Sequence, residues 1–420
     1  MNGRPALHEH RRAAPKGEFR NAQHGGCLVS LAATYRGVRV LDLSTNIAGP
    51  FAAMVLGDLG ADVVKVERPP LGDDTRALPP RWGDEATVFL AVNRSKRSLV
   101  LDIKTAEGRS ALLRLVAGAD VVIESFPPGL AEKLGLAFDD FRQAKPRVVV
   151  CSISAFGDGP IGAKLPGYDA LVQAVSGLMS FTGHPDTPPV RLAPSVLDMS
   201  TGMWAAMGIM AALARKLAGS DAQHIKPSLI DSAFTLMGHQ TLAFLATGEL
   251  PQKLGSGAPS AVPYRVYQAS DGSFMLATAS DPQFTRLCKA LCIDELANDS
   301  RFLDMQSRLA ARDELDGLLS KHFKRESVAT WLERLGDAGL SVGPLNDIRQ
   351  ALVMPVVAER KLFVQPEAMG WPGGMPLLRL PITPEGEGIG LPPPKLGQHS
   401  AEVLREAGFD ETSISTLTAR

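Results

Sequence analysis

The sequence predicts an α/β protein in which a large, doubly wound, Rossmann-like domain carries a smaller inserted α+β domain. Two observations lead to this fold class. Short apolar strands alternate with helices from residue 37 to about residue 155, and strand–helix–strand units of this kind form right-handed crossovers between parallel strands. Further along, two strand-like segments flank Asp271-Gly272, a dipeptide typical of a two-residue hairpin.

The elements of the large domain follow one another in the order that a parallel sheet requires. Gly49-Pro50 turns the chain out of the first strand, and Gly60 ends the helix that follows. Thr105 stands where a helix N-cap is expected. The predicted elements are strand 38–43, helix 51–59, strand 63–66, strand 99–102, a helix to residue 117, strand 120–124, strand 148–153 and helix 200–217. Ligands of such sheets bind beyond the carboxyl ends of the strands.

The chain is divided further by its composition. The predicted hairpin spans 263–270 and 273–279 and is followed by helices 282–291, 312–323 and 327–336. The predicted boundaries are a large domain over 37–215, a linker over 216–262 and a small α+β domain over 263–340. Residues 1–36 are rich in arginine, but Pro5 and Pro15 interrupt any long amphipathic helix, so a disordered extension is predicted rather than a transit peptide.

Charge and composition argue against several kinds of partner. The net charge of −1 offers no bulk attraction to nucleic acid or to an anionic membrane. The longest apolar run, 203–214, is shorter than the roughly 20 residues of a membrane-spanning helix. The four cysteines form no Cys-x-x-Cys pair and the histidines lack metal-ligand spacing. We therefore expect a cytoplasmic protein with reduced thiols and no metal ion.

Asp169 is the residue with the most direct chemical implication. It follows a Pro166-Gly167 turn and begins an apolar helical segment. A carboxylate in this position has two alternative roles: it caps a helix by accepting a backbone N–H bond, or it is a nucleophile held at a helix start beside a loop. A carboxylate is ionised at neutral pH, so the second role needs no partner base.

A dinucleotide-binding motif nearby is excluded by its context. Residues 157–162 match the G-x-G-x-x-G pattern directly after strand 148–153. Pro166 would break the helix that this pattern requires after little more than one turn. We interpret 157–162 as a flexible loop that leads to Asp169, and we expect no nicotinamide or flavin cofactor.

Motifs spread from residue 37 to the C-terminus resemble those of the family III CoA-transferases, the group that includes formyl-CoA:oxalate and carnitine CoA-transferases. In the family's order, they are residues 37–43, 48–50, 56–68, 93–102, 124–129, 164–177 and 395–400. The resemblance implies that Asp169 is the covalent nucleophile. It also implies that residues 341–420 return to complete the large domain, and that two chains interlock as a homodimer.

The resemblance further implies a CoA site in the large domain. The 3′-phosphate and diphosphate of CoA need fixed cations and backbone donors. The expected contacts are the basic residues Arg68, Lys96, Arg97 and Lys133, the turn residues Asn46, Ile47 and Ala48, and the aromatic Phe126. No cofactor is expected, because CoA arrives as the thioester substrate.

The predicted function is that of a CoA-transferase of the EC 2.8.3 type. It moves CoA from an acyl-CoA donor, with succinyl-CoA as a candidate, to a carboxylic acid through an aspartyl-CoA thioester. Two alternatives are an α-methylacyl-CoA racemase-like enzyme on the same fold and a non-catalytic CoA-binding protein. Racemases pair the aspartate with a histidine, whereas Tyr168 precedes Asp169 here and no histidine lies between residues 25 and 183.

Two features bear on the acceptor acid. Gly255-Ser256-Gly257 stands where formyl-CoA:oxalate transferases carry a run of four glycines, which disfavours oxalate. If the acceptor is a dicarboxylate, its distal carboxylate needs a cation, and Arg191 and Arg265 are the candidates.

Overall fold

A computed structural model of the chain describes residues 30–384 and 389–418. Its strands are β1 (Arg39–Asp42), β2 (Asp62–Glu67), β3 (Arg81–Trp82), β4 (Glu85–Ala86), β5 (Lys96–Val100), β6 (Val121–Glu124), β7 (Val149–Ser152), β8 (Gln223–Ile225), β9 (Tyr264–Gln268), β10 (Ser273–Ala277), β11 (Ser341–Pro344), β12 (Phe363–Val364) and β13 (Leu377–Leu378).

The helices lie between and after these strands. They are α1 (Ala48–Asp58), α2 (Thr87–Val92), α3 (Ala106–Ala117), α4 (Leu130–Leu134), α5 (Phe138–Ala144), α6 (Asp169–Val175), α7 (Val196–Leu217), α8 (Leu229–Leu236), α9 (Gly238–Thr247), α10 (Asp281–Leu291), α11 (Asp294–Ala297), α12 (Met305–Ala310), α13 (Arg312–Phe323), α14 (Val328–Asp337), α15 (Ile348–Leu352), α16 (Pro355–Glu359), α17 (Ser400–Glu406) and α18 (Glu411–Thr418). Short 3₁₀ turns lie at Asp74–Ala77, Gly162–Lys164, Leu178–Ser180 and Pro366–Met369.

Six parallel strands form the central sheet, in the order β5-β2-β1-β6-β7-β8. The predicted α/β class with a parallel sheet is therefore confirmed. The strand order reverses at β1 and β6, where Val40 lies opposite Val121. At such a point the flanking connections diverge and leave a crevice above the carboxyl ends of the strands. The segments after β1 and β6 border this crevice.

Apolar side chains cover both faces of the sheet. Neighbouring residues of a strand point to opposite faces. Accordingly, Val40 belongs to a core shared with helices α1 and α7, whereas Leu41 belongs to a second core shared with α3, α5 and α17. Thr105 caps α3 as predicted, since its hydroxyl accepts the N–H of Gly108 at 3.0 Å.

Strand β5 begins three residues before the predicted strand 99–102. It pairs Lys96 with Val63 and Val100 with Glu67. Lys96 and Arg97 therefore lie within the sheet rather than in the loop before it. Their charges suggested a loop, because the sequence did not show which carboxylates would neutralise them inside the fold.

The predicted linker, 216–262, is wrong, because this segment contributes to the large domain. It holds β8, which pairs with β7 so that His224 lies opposite Val150, and helix α8, which packs against α7. Gln-His-Ile is too short and polar to be recognised as a strand by its own pattern. Pairing with the buried strand β7 supplies its stability.

The described part of the predicted N-terminal extension belongs to the fold. Residues 1–29 lie outside the described part of the chain, but residues 30–36 form turns against the large domain. The Tyr35 N–H donates to Leu59 O at 2.9 Å, and the side chains of Leu31 and Tyr35 pack on the core. The prediction of disorder is therefore wrong for residues 30–36, where Leu31 and Tyr35 pack against the core.

The region from residue 262 to 344 has a core of its own. Strands β9 and β10 pair antiparallel around the predicted Asp271-Gly272 turn, with Ser273 opposite Gln268, and β11 joins the other edge of β10. The core consists of apolar side chains from this sheet and from α10, α13 and α14: Tyr267, Phe274, Leu276, Phe284, Leu287, Leu319, Phe323, Trp331 and Leu335.

Helix α7 links the core to the site described below. Of the helices described, it alone has the length and apolar composition of a membrane-spanning helix, and half of its most apolar stretch is buried inside the protein. A core helix of a soluble protein can have the same length and composition, so this is weak evidence for a membrane. Its close packing against α1 explains its apolar composition.

Candidate active site

The carboxylate of Asp169, which begins helix α6, is buried against the N-terminus of another helix, α7. Asp169 is the first residue of α6 and is 5% exposed. Its Oδ2 atom accepts the backbone N–H groups of Leu197 at 2.8 Å and Asp198 at 3.2 Å, in the first turn of α7. Unpaired N–H groups and the helix dipole stabilise an anion there. Asp169 thus satisfies N–H groups of α7, not of the helix that it begins.

The other carboxylate oxygen of Asp169 is held by Gln173. Gln173 is fully buried one turn along α6, and its Nε2 donates to Asp169 Oδ1 at 2.6 Å. Its Oε1 accepts the N–H of Leu192 at 2.9 Å, which ties the segment before α7 to the same site. Gln173 was not among the predicted site residues, although its spacing of four residues from Asp169 places both on one helix face.

A second carboxyl group shares this helix terminus. The side chain of Asp198 is largely buried, and burial together with the negative charge of Asp169 raises the pKa of Asp198 to about 7. The sequence did not indicate this pair, because the two residues lie far apart along the chain and meet only where α6 and α7 touch.

The turn expected to bind CoA also rests on α7. Gly202 lies so close to Ala48, at the end of the turn after β1, that a Cβ added to Gly202 would stand 2.6 Å from Ala48 O. Gly202 is four residues after Asp198, and hence about 6 Å further along the helix axis. The predicted CoA turn (Asn46, Ile47, Ala48) and the predicted nucleophile Asp169 therefore contact neighbouring turns of the same helix, α7.

Buried charged side chains stabilise the turn over residues 46–48. Lys65 Nζ donates to Ser44 O at 2.9 Å and pairs with Asp73 at 2.8 Å. Asp73 Oδ1 in turn accepts the N–H of Asn46 at 3.4 Å, and Asn46 adopts a left-handed backbone conformation (φ 67°). Burial alone would raise the pKa of Asp42, but the charges of Lys65 and Lys96 outweigh it and lower that pKa.

Two predicted CoA contacts, Lys96 and Arg97, are instead committed to the protein. Lys96 is fully buried, and its Nζ donates to Asp42 at 2.8 Å, Asn93 at 2.7 Å and Pro50 O at 2.8 Å, which uses all three of its protons. The Arg97 guanidinium is bound by three carboxylates, from Asp62, Glu402 and Glu406. Neither side chain presents a charge to a ligand in this arrangement.

The remaining predicted contacts lie near the crevice to different degrees. Arg68 follows β2, its side chain is 55% exposed, and it pairs with Asp74. Lys133 is exposed on α4, and Phe126 follows β6 half-buried against the core. Asn46, Ile47 and Phe126 border the point where the strand order reverses. Arg68 and Lys133 therefore stay available as cations, whereas Lys96 and Arg97 do not.

A polar chain at the ends of β6, β7 and β8 was not foreseen. The Ser152 hydroxyl lies 2.8 Å from His224 Nε2, and the His224 ring stacks on Phe138 at 4.5 Å. Burial lowers the pKa of His224 to about 4. Burial also raises the pKa of Glu124, although its bond to Ser152 opposes the rise. These groups secure the strand ends, and none of them contacts Asp169.

The two arginines proposed for a distal carboxylate differ in their surroundings. Arg265 pairs with Asp316 at 2.9 Å, beside a core of the smaller sheet. Arg191 is exposed and donates to the backbone carbonyls of Leu192 and Ala193, next to the Leu192 N–H that Gln173 holds. Among the described carboxylates none pairs with Arg191. The structure therefore favours Arg191 and not Arg265.

The Gly255-Ser256-Gly257 segment also approaches this region. The N–H of Gly255 donates to Gly183 O at 2.8 Å, in the segment that joins α6 to α7. Its backbone passes so near that an added Cβ would lie 2.6 Å from His184 Nδ1. Within residues 30–384 and 389–418, no set of three His, Cys, Asp or Glu side chains is arranged to hold a metal ion.

Comparisons with known proteins agree with this architecture. Residues 35–400 match CoA-transferase family III. The chain is 37% identical to a succinate–glutarate CoA-transferase of Agrobacterium fabrum, covering 88% of this chain and 94% of the relative. It is 36% identical to the human succinyl-CoA:glutarate CoA-transferase (91% and 88%) and 38% identical to an acetyl-CoA:oxalate CoA-transferase of Acetobacter aceti (81% and 87%).

Solved structures show the same fold. The crystal structure of a CAIB/BAIF family protein from Brucella suis superimposes with a TM-score of 0.78 at 36% identity, covering 89% of this chain and 98% of that chain. The family match over residues 35–400 spans the sheet and the α6–α7 contact. The chain therefore belongs to CoA-transferase family III, and it is an enzyme that transfers CoA between an acyl-CoA and a carboxylic acid.

Proposed function

We propose that this transferase carries CoA as a thioester on Asp169, accepts it from succinyl-CoA and delivers it to a dicarboxylic acid. The observation that carries the proposal is the buried Asp169 carboxylate, held between the α7 N-terminus and Gln173 beside the turn that ends at Ala48. Relatives at 34–37% identity are named for succinyl-CoA or succinate paired with glutarate or mesaconate, all dicarboxylates.

The route has two halves that mirror each other. A carboxylate oxygen of Asp169 attacks the acyl carbon of the donor, and the C–S bond breaks with its electron pair on sulfur. The CoA thiolate then attacks Asp169 Cγ, and the donor acid leaves as a carboxylate that keeps the bridging oxygen. The acceptor carboxylate reverses both steps. No cofactor is needed, because the thioester bond energy stays on the enzyme.

Burial of Asp169 supports this route in two ways. The mixed anhydride hydrolyses if water reaches it, and a carboxylate that is 5% exposed leaves water little access. When the thiolate attacks Asp169 Cγ, an oxyanion forms on the remaining carboxylate oxygen of Asp169 and needs N–H donors already in place. The backbone N–H groups of Leu197 and Asp198 meet that requirement at Asp169 Oδ2.

The acceptor is assigned from Arg191. A dicarboxylate that presents one carboxylate to Asp169 needs a cation for the other. Arg191 precedes Leu192, whose N–H is linked to Asp169 through Gln173 by two hydrogen bonds. Within the described residues, the Arg191 guanidinium bonds only to backbone carbonyls. The oxalate-named relative keeps oxalate in the panel of acids to be tested, although the missing glycine run argues against it.

The proposed assembly is an interlocked homodimer. Helices α6 to α9 contact one another in sequence and expose large apolar side chains. They include Leu171, Val175, Met203, Trp204, Met207, Phe234, Leu242 and Leu245, with exposures of 43–71%. Apolar surface of this extent is typical of an interface, and a second copy is the occupant that the family implies. The free thiols of Cys151, Cys288 and Cys292 support a place in the cytoplasm.

The alternative of racemisation is less well supported. In the racemase pattern, the aspartate exchanges the α-proton together with a histidine. Of the described histidines, none is hydrogen-bonded to Asp169, whose partners are Gln173, Leu197 and Asp198.

Trapping of the intermediate tests the proposal. The protein is incubated with succinyl-CoA and no acceptor, and its intact mass is measured before and after hydroxylamine treatment. We expect a CoA adduct that hydroxylamine removes and that peptide mapping places on Asp169. An adduct on another residue, or transfer without any adduct, would contradict the assigned nucleophile. Exchange of an acyl α-hydrogen with solvent deuterium without transfer would favour the racemase.

A further inference from the structure

Gln173 is oriented by a bond that does not involve the reaction. The Leu192 N–H is a backbone donor, so the atom that faces it at 2.9 Å must be the acceptor Oε1. The amide nitrogen Nε2 therefore points at Asp169 Oδ1, 2.6 Å away. Because Gln173 has no exposed surface, water cannot replace either bond.

The two oxygens of Asp169 are consequently held in different ways. Oδ2 accepts two backbone N–H groups at the start of a 22-residue helix, which cannot rotate away. Oδ1 accepts one N–H from a neutral side chain. A neutral amide can orient a carboxylate without adding a second negative charge next to it. An oxygen with one donor keeps a free lone pair for attack.

We propose that Gln173 is a positioning residue that presents Asp169 Oδ1 to the acyl carbon, while Oδ2 stays in place as the carbonyl oxygen of the aspartyl intermediate. The inference rests on the proposed function. Oδ1 forms the new bond to the acyl carbon as the C–S bond breaks. When the thiolate attacks Cγ, the oxyanion forms on Oδ2 against the two backbone N–H groups, and Oδ1 departs with the donor acid.

The test uses two substitutions that differ in hydrogen bonding. Gln173→Met cannot donate to Asp169, whereas Gln173→Glu keeps the shape and donates only when protonated. Gln223→Met is the control, because the Gln223 side chain donates to the backbone carbonyls of Asp221 and Ala222, just before β8. The single-turnover rate at which succinyl-CoA forms the CoA adduct is measured from pH 5 to pH 8. The KM for succinyl-CoA and the melting temperature are measured as well.

Gln173→Met is expected to slow adduct formation about 10- to 100-fold, the range of a lost hydrogen bond to a charged group, with KM within about threefold. The rate of Gln173→Glu relative to wild type is expected to fall as the pH rises, because an ionised Glu cannot donate and repels Asp169. A purely structural role would give both variants the same pH-independent deficit.

Two outcomes would overturn the inference. One is adduct formation by Gln173→Met at the wild-type rate, and the other is a Gln173→Glu ratio that does not change with pH. If Gln173→Glu fails to fold, the rate and KM of Gln173→Met decide alone. Wild-type protein that forms no adduct on Asp169 would instead contradict the proposed function, so the two failures are distinguishable.

Discussion

Asp198 donates its backbone N–H to the Asp169 carboxylate at 3.2 Å while its own carboxyl group lies largely buried beside the same negative charge. One residue therefore stabilises the Asp169 anion through its main chain and is destabilised by it through its side chain. Such an arrangement is found where a site needs a fixed charge more than the fold needs stability.

The raised pKa of Asp198 predicts a pH-dependent stability. Its pKa of about 7, raised by burial and by Asp169, exceeds the value near 4 in the unfolded chain. Between these values the folded protein binds more protons, so its free energy of unfolding falls as pH rises from about 4 to 7 and is constant above. Asp198→Asn should gain on the order of 2–4 kcal/mol relative to wild type between pH 4.5 and pH 8.

Denaturant unfolding of both proteins at several pH values checks this expectation. Asp337→Asn makes the same chemical change at an exposed position, and its difference from wild type should not vary with pH. A constant difference for Asp198→Asn would show that Asp198 is not protonated in the folded protein.

Asp169→Ala should lower the rate of CoA transfer about a thousandfold or more, because the covalent intermediate cannot form. Its stability should change by only about 1–2 kcal/mol, since the backbone N–H groups of Leu197 and Asp198 lose a capping partner. Steady-state transfer and thermal unfolding are measured together. Asp158→Ala, in the exposed loop before α6, should stay within about threefold of wild type. Transfer by Asp169→Ala within tenfold of wild type would leave Asp169 as a cap alone.

Arg191→Met should raise the KM for dicarboxylate acceptors about tenfold or more, the effect of losing a charge-assisted hydrogen bond, and leave monocarboxylate acceptors unaffected. Arg265→Met is the comparison, because its partner is Asp316 and its loss should lower stability instead. The measurement is a panel of mono- and dicarboxylic acids, oxalate included, with succinyl-CoA as donor. A wild-type preference for monocarboxylic acids would remove the dicarboxylate assignment and leave the transferase chemistry intact.

Substitutions of Arg97 and Arg68 should affect different properties, stability for Arg97 and CoA binding for Arg68. Arg97→Met removes pairs to Asp62, Glu402 and Glu406 and should destabilise the fold by about 1–3 kcal/mol, with little change in the KM for succinyl-CoA. Arg68→Met, on an exposed side chain, should change stability by no more than about 0.5 kcal/mol and raise that KM. The opposite pattern would restore Arg97 as a CoA contact and show that the ion pairs open in the complex.

Much of the fold was predictable because it follows from local patterns. Apolar strands β1, β2, β6 and β7 and the Thr105 cap are recognisable from a few neighbouring residues. Strand β8 and the start of β5 were not, because their polar residues become strand only through pairing with buried neighbours. Lys96 illustrates the consequence: a cation that looks like a ligand contact is neutralised by Asp42, which lies on another strand.

The sequence by itself determined the alternation of strands and helices, the hairpin at Asp271-Gly272, the family motifs and the choice of Asp169, because each depends on residues close together in the chain. The tertiary structure decided what surrounds Asp169. Leu197, Asp198 and the Leu192 N–H reach it only because α6 packs across the start of α7, and Gly202 brings the turn at Ala48 to the same helix. Contacts between segments so far apart depend on packing, for which no local pattern exists.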